Sequence, residues 1–138
     1  NTAPVGNVEW RANRVDRELR SLVAQGVTAD LAVLDPPRTG AGTAVMAALA
    51  QLGVRRLVYV ACDPAALARD VRTAGDLGYR LDGLVAYDAF PMTHHVECIA
   101  MLEAGEAGEA REAREGAARA LEAGEAREAR EAREGAAR

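Results

Sequence analysis

The sequence predicts an α/β fold, an open sheet of parallel strands that finishes in an antiparallel pair. Three observations predict it. Residues 31–34 (LAVL) and 56–61 (RLVYVA) are short apolar runs, which is how strands buried on both faces read. Helical stretches follow each of these runs, so the strands are joined by crossovers and lie parallel. Residues 80–87 and 95–102 read as two more strands with no helix between them. A link that short favours antiparallel pairing at the end of the sheet.

Taken in order, residues 7–11 (NVEWR) are expected to form a short strand. Residues 13–25 predict a helix, with Val15, Leu19, Leu22 and Val23 on one face and Gly26 as its stop. The strand at 31–34 is broken by Asp35-Pro36-Pro37-Arg38. Residues 43–52 are Ala-rich and helical, closed by Gly53. After the strand at 56–61, residues 63–77 predict a helix with Asp63 as N-cap and Pro64 at its first position. Gly78 ends it.

The composition changes at about Leu102, so the expected organisation is a domain over 1–102 and a tail over 103–138. Residues 1–102 carry 10 Arg against 11 acidic residues, and the tail carries 7 Arg against 10. No basic excess is available from which to infer nucleic-acid binding. The tail repeats with a period of 19 residues from Leu102 and from Leu121, and consists almost wholly of Ala, Glu, Arg and Gly. Leu121 is the only large aliphatic residue beyond Leu102, so a solvated, fraying helix or disorder is expected there. Cys62 and Cys98 are the only cysteines, and no secretory signal precedes them. A reducing, cytoplasmic setting is therefore expected, and no membrane association. The chain opens at Asn1 in mid-pattern, which reads as a fragment.

In an open α/β sheet, ligands bind beyond the carboxyl ends of the strands. Asp35 and Cys62 each follow a predicted strand directly, so both are expected to face one crevice. Cys62 also precedes a helix start, where free N–H groups and the positive end of the dipole stabilise a thiolate. Asp63 opposes that effect, and an inert buried thiol is the alternative. Asp35-Pro36-Pro37-Arg38 is a rigid polar turn, since Pro36 keeps Asp35 out of helical geometry. An ordinary strand-to-loop turn would read the same way. Glu97 sits in the apolar run HHVECIAML, sharing a face with His95, Ile99 and Met101. A carboxylate there must be paired, exposed or functional, and a surface Glu on an edge strand is the bland reading. His94, His95, Cys62 and Cys98 have no compact zinc spacing, and Cys98 faces away from His95, so no metal site is expected.

Three blocks occur in order: LDPPRTGAG at 34–42, YVACDPAALARD at 59–70 and FPMTHHVECIAML at 90–102. Together they resemble the RNA uracil-C5 (5-methyluridine) methyltransferases, over essentially residues 1–102. An open α/β sheet ending in an antiparallel strand is likewise the pattern of class I S-adenosylmethionine-dependent methyltransferases, a partial Rossmann-like sheet here. The resemblance implies Cys62 as the nucleophile, Glu97 as the base and Asp35 as a contact of S-adenosylmethionine. It implies tRNA or rRNA as the substrate. Family members often have Ser-Cys-Asn-Pro-x-Thr, where this chain has Ala61, Asp63 and Ala66. That departure affects local hydrogen bonding and leaves the nucleophile in place. The glycine-rich cofactor loop and the RNA-binding region of the family lie ahead of the matched blocks. The 138-residue chain alone is therefore expected to transfer no methyl group to a uridine-containing RNA in a radiolabel assay, and transfer would overturn that expectation. Two other readings compete: a different nucleic-acid methyltransferase with a structural Cys62, and a non-functional truncated gene product.

Overall fold

The computed structural model describes residues 6–90, 92, 93 and 95–105. The element order is α1 (Val15–Ala24), β1 (Leu31–Leu34), α2 (Thr43–Gln51), β2 (Arg56–Ala61), α3 (Pro64–Asp76), β3 (Tyr79–Tyr87) and β4 (Glu97–Ala104). The tail beyond residue 105 lies outside the described residues, as does the expectation made for it.

Each helix ends where the sequence predicts. Gly26, Gly53 and Gly78 all take positive φ. The N–H groups of Val27 and Val54 then close back onto the carbonyls of Leu22 and Leu49. An L side chain resists that turn, and glycine does not. α2 is apolar on all sides, and Val45 through Ala50 are all buried. α3 starts on Asp63, whose carboxylate accepts the Ala66 N–H at 2.8 Å, with Pro64 next in line. α1 gathers Asp16 and Glu18 in its first turn, favourable at the positive end of its dipole. Contacts of Arg14 with Asp16 and of Arg11 with Glu18 keep both carboxyls below the usual carboxylate range.

The sheet order is β1-β2-β4-β3. β1 and β2 are parallel, and β4 runs antiparallel to both of its neighbours. The antiparallel pair does finish the sheet, with β4 inside and β3 at the edge. Glu97 therefore stands on an inner strand, which removes the edge-strand reading.

The core lies between one face of the sheet and the helices. Leu57, Tyr59 and Ala61 of β2 and Cys98, Ala100 and Leu102 of β4 meet Met46, Leu49, Leu67 and Ala74 there. α1 lies against α2 and adds Leu19, Leu22 and Val23 to the rim.

Three sequence expectations need correction. Residues 7–11 form no strand, since no sheet neighbour stands beside them among the described residues. β1 is not buried on both faces: Leu31 is 55% and Val33 67% exposed. The apolar run has the right composition for burial, but the helices described here cover only the opposite face of the sheet. The ordered unit also runs past Leu102, because Glu103 and Ala104 pair with Arg80 and Tyr79.

Candidate functional site

The carboxyl ends of β1 and β2 and the amino end of β4 meet at one edge of the sheet. Leu34 pairs with Tyr59 as the last step of the β1–β2 ladder, and Asp35 follows it. Ala61 pairs with Cys98 as the last step of the β2–β4 ladder. The paired ladder stops there; carried one step further, its register would bring Cys62, in the bend after β2, toward Glu97. On its other side Glu97 pairs with Tyr87 of β3. Directly opposed residues of an antiparallel pair lie about 4.5–5.5 Å apart at Cα and share a face. Ala61 and Cys98 face the buried helix side, so alternation assigns Cys62 and Glu97 to the open side. Both are half-buried, so neither is sealed in the core. Asp35 is exposed at the same edge. All three residues singled out from the sequence thus stand at one edge, Asp35 and Cys62 directly after β1 and β2 and Glu97 at the start of β4.

Asp35 lines an open cavity of about 620 Å³. Its walls are the ion-paired Arg14 and Asp16 with Val15 at the start of α1, Val33 and Leu34 of β1, Pro36, Pro37 and Gly40–Gly42 of the following loop, and the first turn of α2. With Arg14 paired to Asp16, the exposed Asp35 carboxylate beside Val33, Leu34 and the two prolines suits a ligand with a cationic centre on an apolar or aromatic body. Among the described residues no group of three or more His, Cys, Asp and Glu side chains gathers as a metal site would require. His94 lies outside the described residues.

Two features escaped the sequence reading. The first is a contact between loops. Nη2 of Arg38, in the turn after β1, lies 2.5 Å from Nδ1 of His95, just before β4. The Phe90 ring meets His95 edge-on at 6.5 Å, and Thr93 Oγ1 donates to the Phe90 carbonyl. The loop ahead of Glu97 is thereby tied to the loop that carries Asp35.

The second is a buried carboxylate. Asp70, on α3, is 6% exposed. It accepts hydrogen bonds from the Tyr59 hydroxyl at 2.5 Å and from the N–H groups of Ala41 at 2.7 Å and Gly42 at 3.3 Å. The Ala41 N–H also reaches the Tyr59 oxygen at 3.0 Å. The signal was present in the sequence as an acid inside an otherwise core-facing stretch of the second block, but no pattern rule joins positions 41, 59 and 70.

Burial first, and the bond to Asp70 second, push the Tyr59 hydroxyl well above the usual phenol range. A raised value in the folded state contributes stability in full below the unfolded phenol value of about 10, and that stability is lost as pH rises toward the folded value. The thermal midpoint is expected to fall above about pH 10, and Tyr59→Phe should flatten that fall. An identical alkaline slope in both proteins would exclude Tyr59 as its source.

The profile of the tRNA (uracil-5-)-methyltransferase family matches residues 10–105. The chain belongs to this family. An uncharacterized RNA methyltransferase of Streptomyces avermitilis is 60% identical over 79 residues, covering 56% of this chain and 18% of that protein. One from Caldanaerobacter subterraneus is 40% identical over 99 residues, covering 72% of this chain and 22% of that protein. Among solved structures, the tRNA (uracil-54, C5)-methyltransferase of Pyrococcus abyssi, in complex with S-adenosyl-L-homocysteine, is 41% identical with a TM-score of 0.48. The match covers 53% of this chain and 18% of that one. The chain thus spans about a fifth of the length of these curated RNA methyltransferase relatives. No helix of the described residues is long and apolar enough to cross a membrane.

Proposed function

We propose that the stretch matched by the family, residues 10–105, is the C-terminal part of the catalytic domain of an enzyme that methylates uracil C5 in tRNA or rRNA. The observation that supports this reading is the β2–β4 register, which, continued one step past Ala61 and Cys98, brings Cys62 toward Glu97 at the mouth of the sheet. Family membership supports the reaction class.

The chemistry follows from the target. C5 of uracil is too weak a nucleophile to take a methyl group from a sulfonium unaided. The Cys62 thiolate adds to C6, and the C5–C6 electron pair moves to make an enolate. S-adenosylmethionine, when bound, supplies the methyl group as an electrophile for C5. Asp35, exposed at the cavity, fits the cationic donor through its carboxylate. Glu97 takes the proton left on C5, and the electrons of that C–H bond form the C5–C6 double bond. As that double bond forms, the C6–Sγ bond breaks and Cys62 leaves with the bonding pair as thiolate. The thiolate must approach the face of the ring, so the base must be unstacked, as in an RNA loop.

Trapping tests the reading. The complete enzyme is incubated with S-adenosylmethionine and RNA carrying 5-fluorouridine at candidate sites. Fluorine at C5 cannot leave as a proton, so an adduct at Cys62 should persist through denaturation and appear on the Cys62 peptide by mass spectrometry. An adduct on another residue, or methylated product with no adduct, contradicts the assignment.

A further inference from the structure

We infer that Asp70, with Tyr59, is a positioning residue for the methyl-donor cavity, holding the loop of residues 36–42 in the shape that receives the donor. The inference rests on the donor-site reading of that cavity given above. The loop forms much of the cavity wall through Pro36, Pro37, Gly40, Ala41 and Gly42. Its two glycines stand at φ 85 and 83, so local sequence alone leaves it many conformations. Apart from the turn in which the Gly40 N–H meets the Pro37 carbonyl, its backbone N–H groups are anchored at residues 41 and 42. Both bond to Asp70.

The backbone has been drawn close to that carboxylate. A Cβ on Gly40 would stand 2.6 Å from Asp70 Oδ2, closer than atoms tolerate. Asp70 itself lies on the helix that begins just after Cys62. One buried acid therefore joins the element that presents the nucleophile to the loop that shapes the donor cavity. Tyr59 completes the joint from β2, donating to the same Oδ2 and accepting from Ala41.

The test uses the complete enzyme with Asp70→Asn and Tyr59→Phe. Calorimetric binding of S-adenosylhomocysteine and the KM for S-adenosylmethionine are measured well below each variant's thermal midpoint. Each substitution should weaken both about tenfold, the equivalent of one hydrogen bond to a charged group. The kcat at saturating donor and RNA should change by less than about threefold. A fall in thermal midpoint with donor affinity unchanged would reduce Asp70 to a structural residue and overturn the proposal. Should either variant fail to fold, Gly40→Ala decides, since it keeps both buried side chains in the chain but forces the loop and Asp70 Oδ2 apart. An unchanged donor affinity there overturns the proposal equally. If the unsubstituted enzyme binds no S-adenosylhomocysteine, the donor-site reading itself fails, a result separable because it precedes any substitution.

Discussion

Replacing Cys62 with alanine in the complete enzyme should reduce methyl transfer to uridine-containing RNA by roughly four orders of magnitude or more, the scale on which enzymes lose rate with their covalent nucleophile. The reason lies in the substrate. Without a bond from sulfur to C6, C5 keeps the electron distribution of an intact pyrimidine and does not attack a sulfonium methyl group. Cys62→Ser should be nearly as inactive, since a hydroxyl is scarcely ionised near neutral pH. RNA affinity should hold in both variants, because phosphate and sugar contacts carry most of it. The position supports this outcome. Cys62 is half-buried, follows the last ladder residue of β2 and precedes the Asp63 cap of α3. A Cys62→Ala enzyme retaining a tenth of its activity would remove the covalent route and favour a methyltransferase in which Cys62 is structural.

Sequence patterning made the sheet's connectivity and the helix ends legible, because glycine stops and a capping Asp-Pro act over a few residues. The positions of Asp35 and Cys62 directly after β1 and β2 were legible too, because the apolar runs end at those residues. Burial was less legible. Val33 has the composition of a doubly buried strand and is 67% exposed, since composition does not reveal what covers a face. The joint of Ala41, Tyr59 and Asp70 spans 29 residues of chain, and no local signal links its members. The Arg38–His95 contact spans 57 residues and arises only when β4 inserts beside β2. The Asn7–Arg11 stretch shows the converse. Its alternation suits a strand, yet no partner stands beside it among the described residues.

Replacing Glu97 with glutamine should have a different signature from the loss of Cys62. The thiolate can still add to C6, and C5 can still take the methyl group. What remains is an intermediate with both a methyl group and a hydrogen on a tetrahedral C5. Sulfur cannot leave until that hydrogen departs as a proton, because its bonding electrons must rebuild the double bond. Glu97→Gln should therefore accumulate a methylated RNA–protein adduct on ordinary uridine, with no fluorine required. Steady turnover should fall about 100- to 10,000-fold, the usual contribution of a positioned general base. A gel shift that survives denaturation, together with radiolabel from the methyl group in the shifted band, reads both effects at once. Glutamine keeps the size of the side chain, and the adjacent Cys98, paired with Ala61 and Ala86, fixes the backbone beside it, so the fold should persist. Normal turnover by this variant would place the base elsewhere. Loss of turnover with no adduct would mean that the carboxylate acts before methyl transfer, in ordering the thiolate or the ring. The two outcomes differ because a base that removes the C5 proton acts only after methyl transfer, whereas a carboxylate that orders the thiolate acts before it.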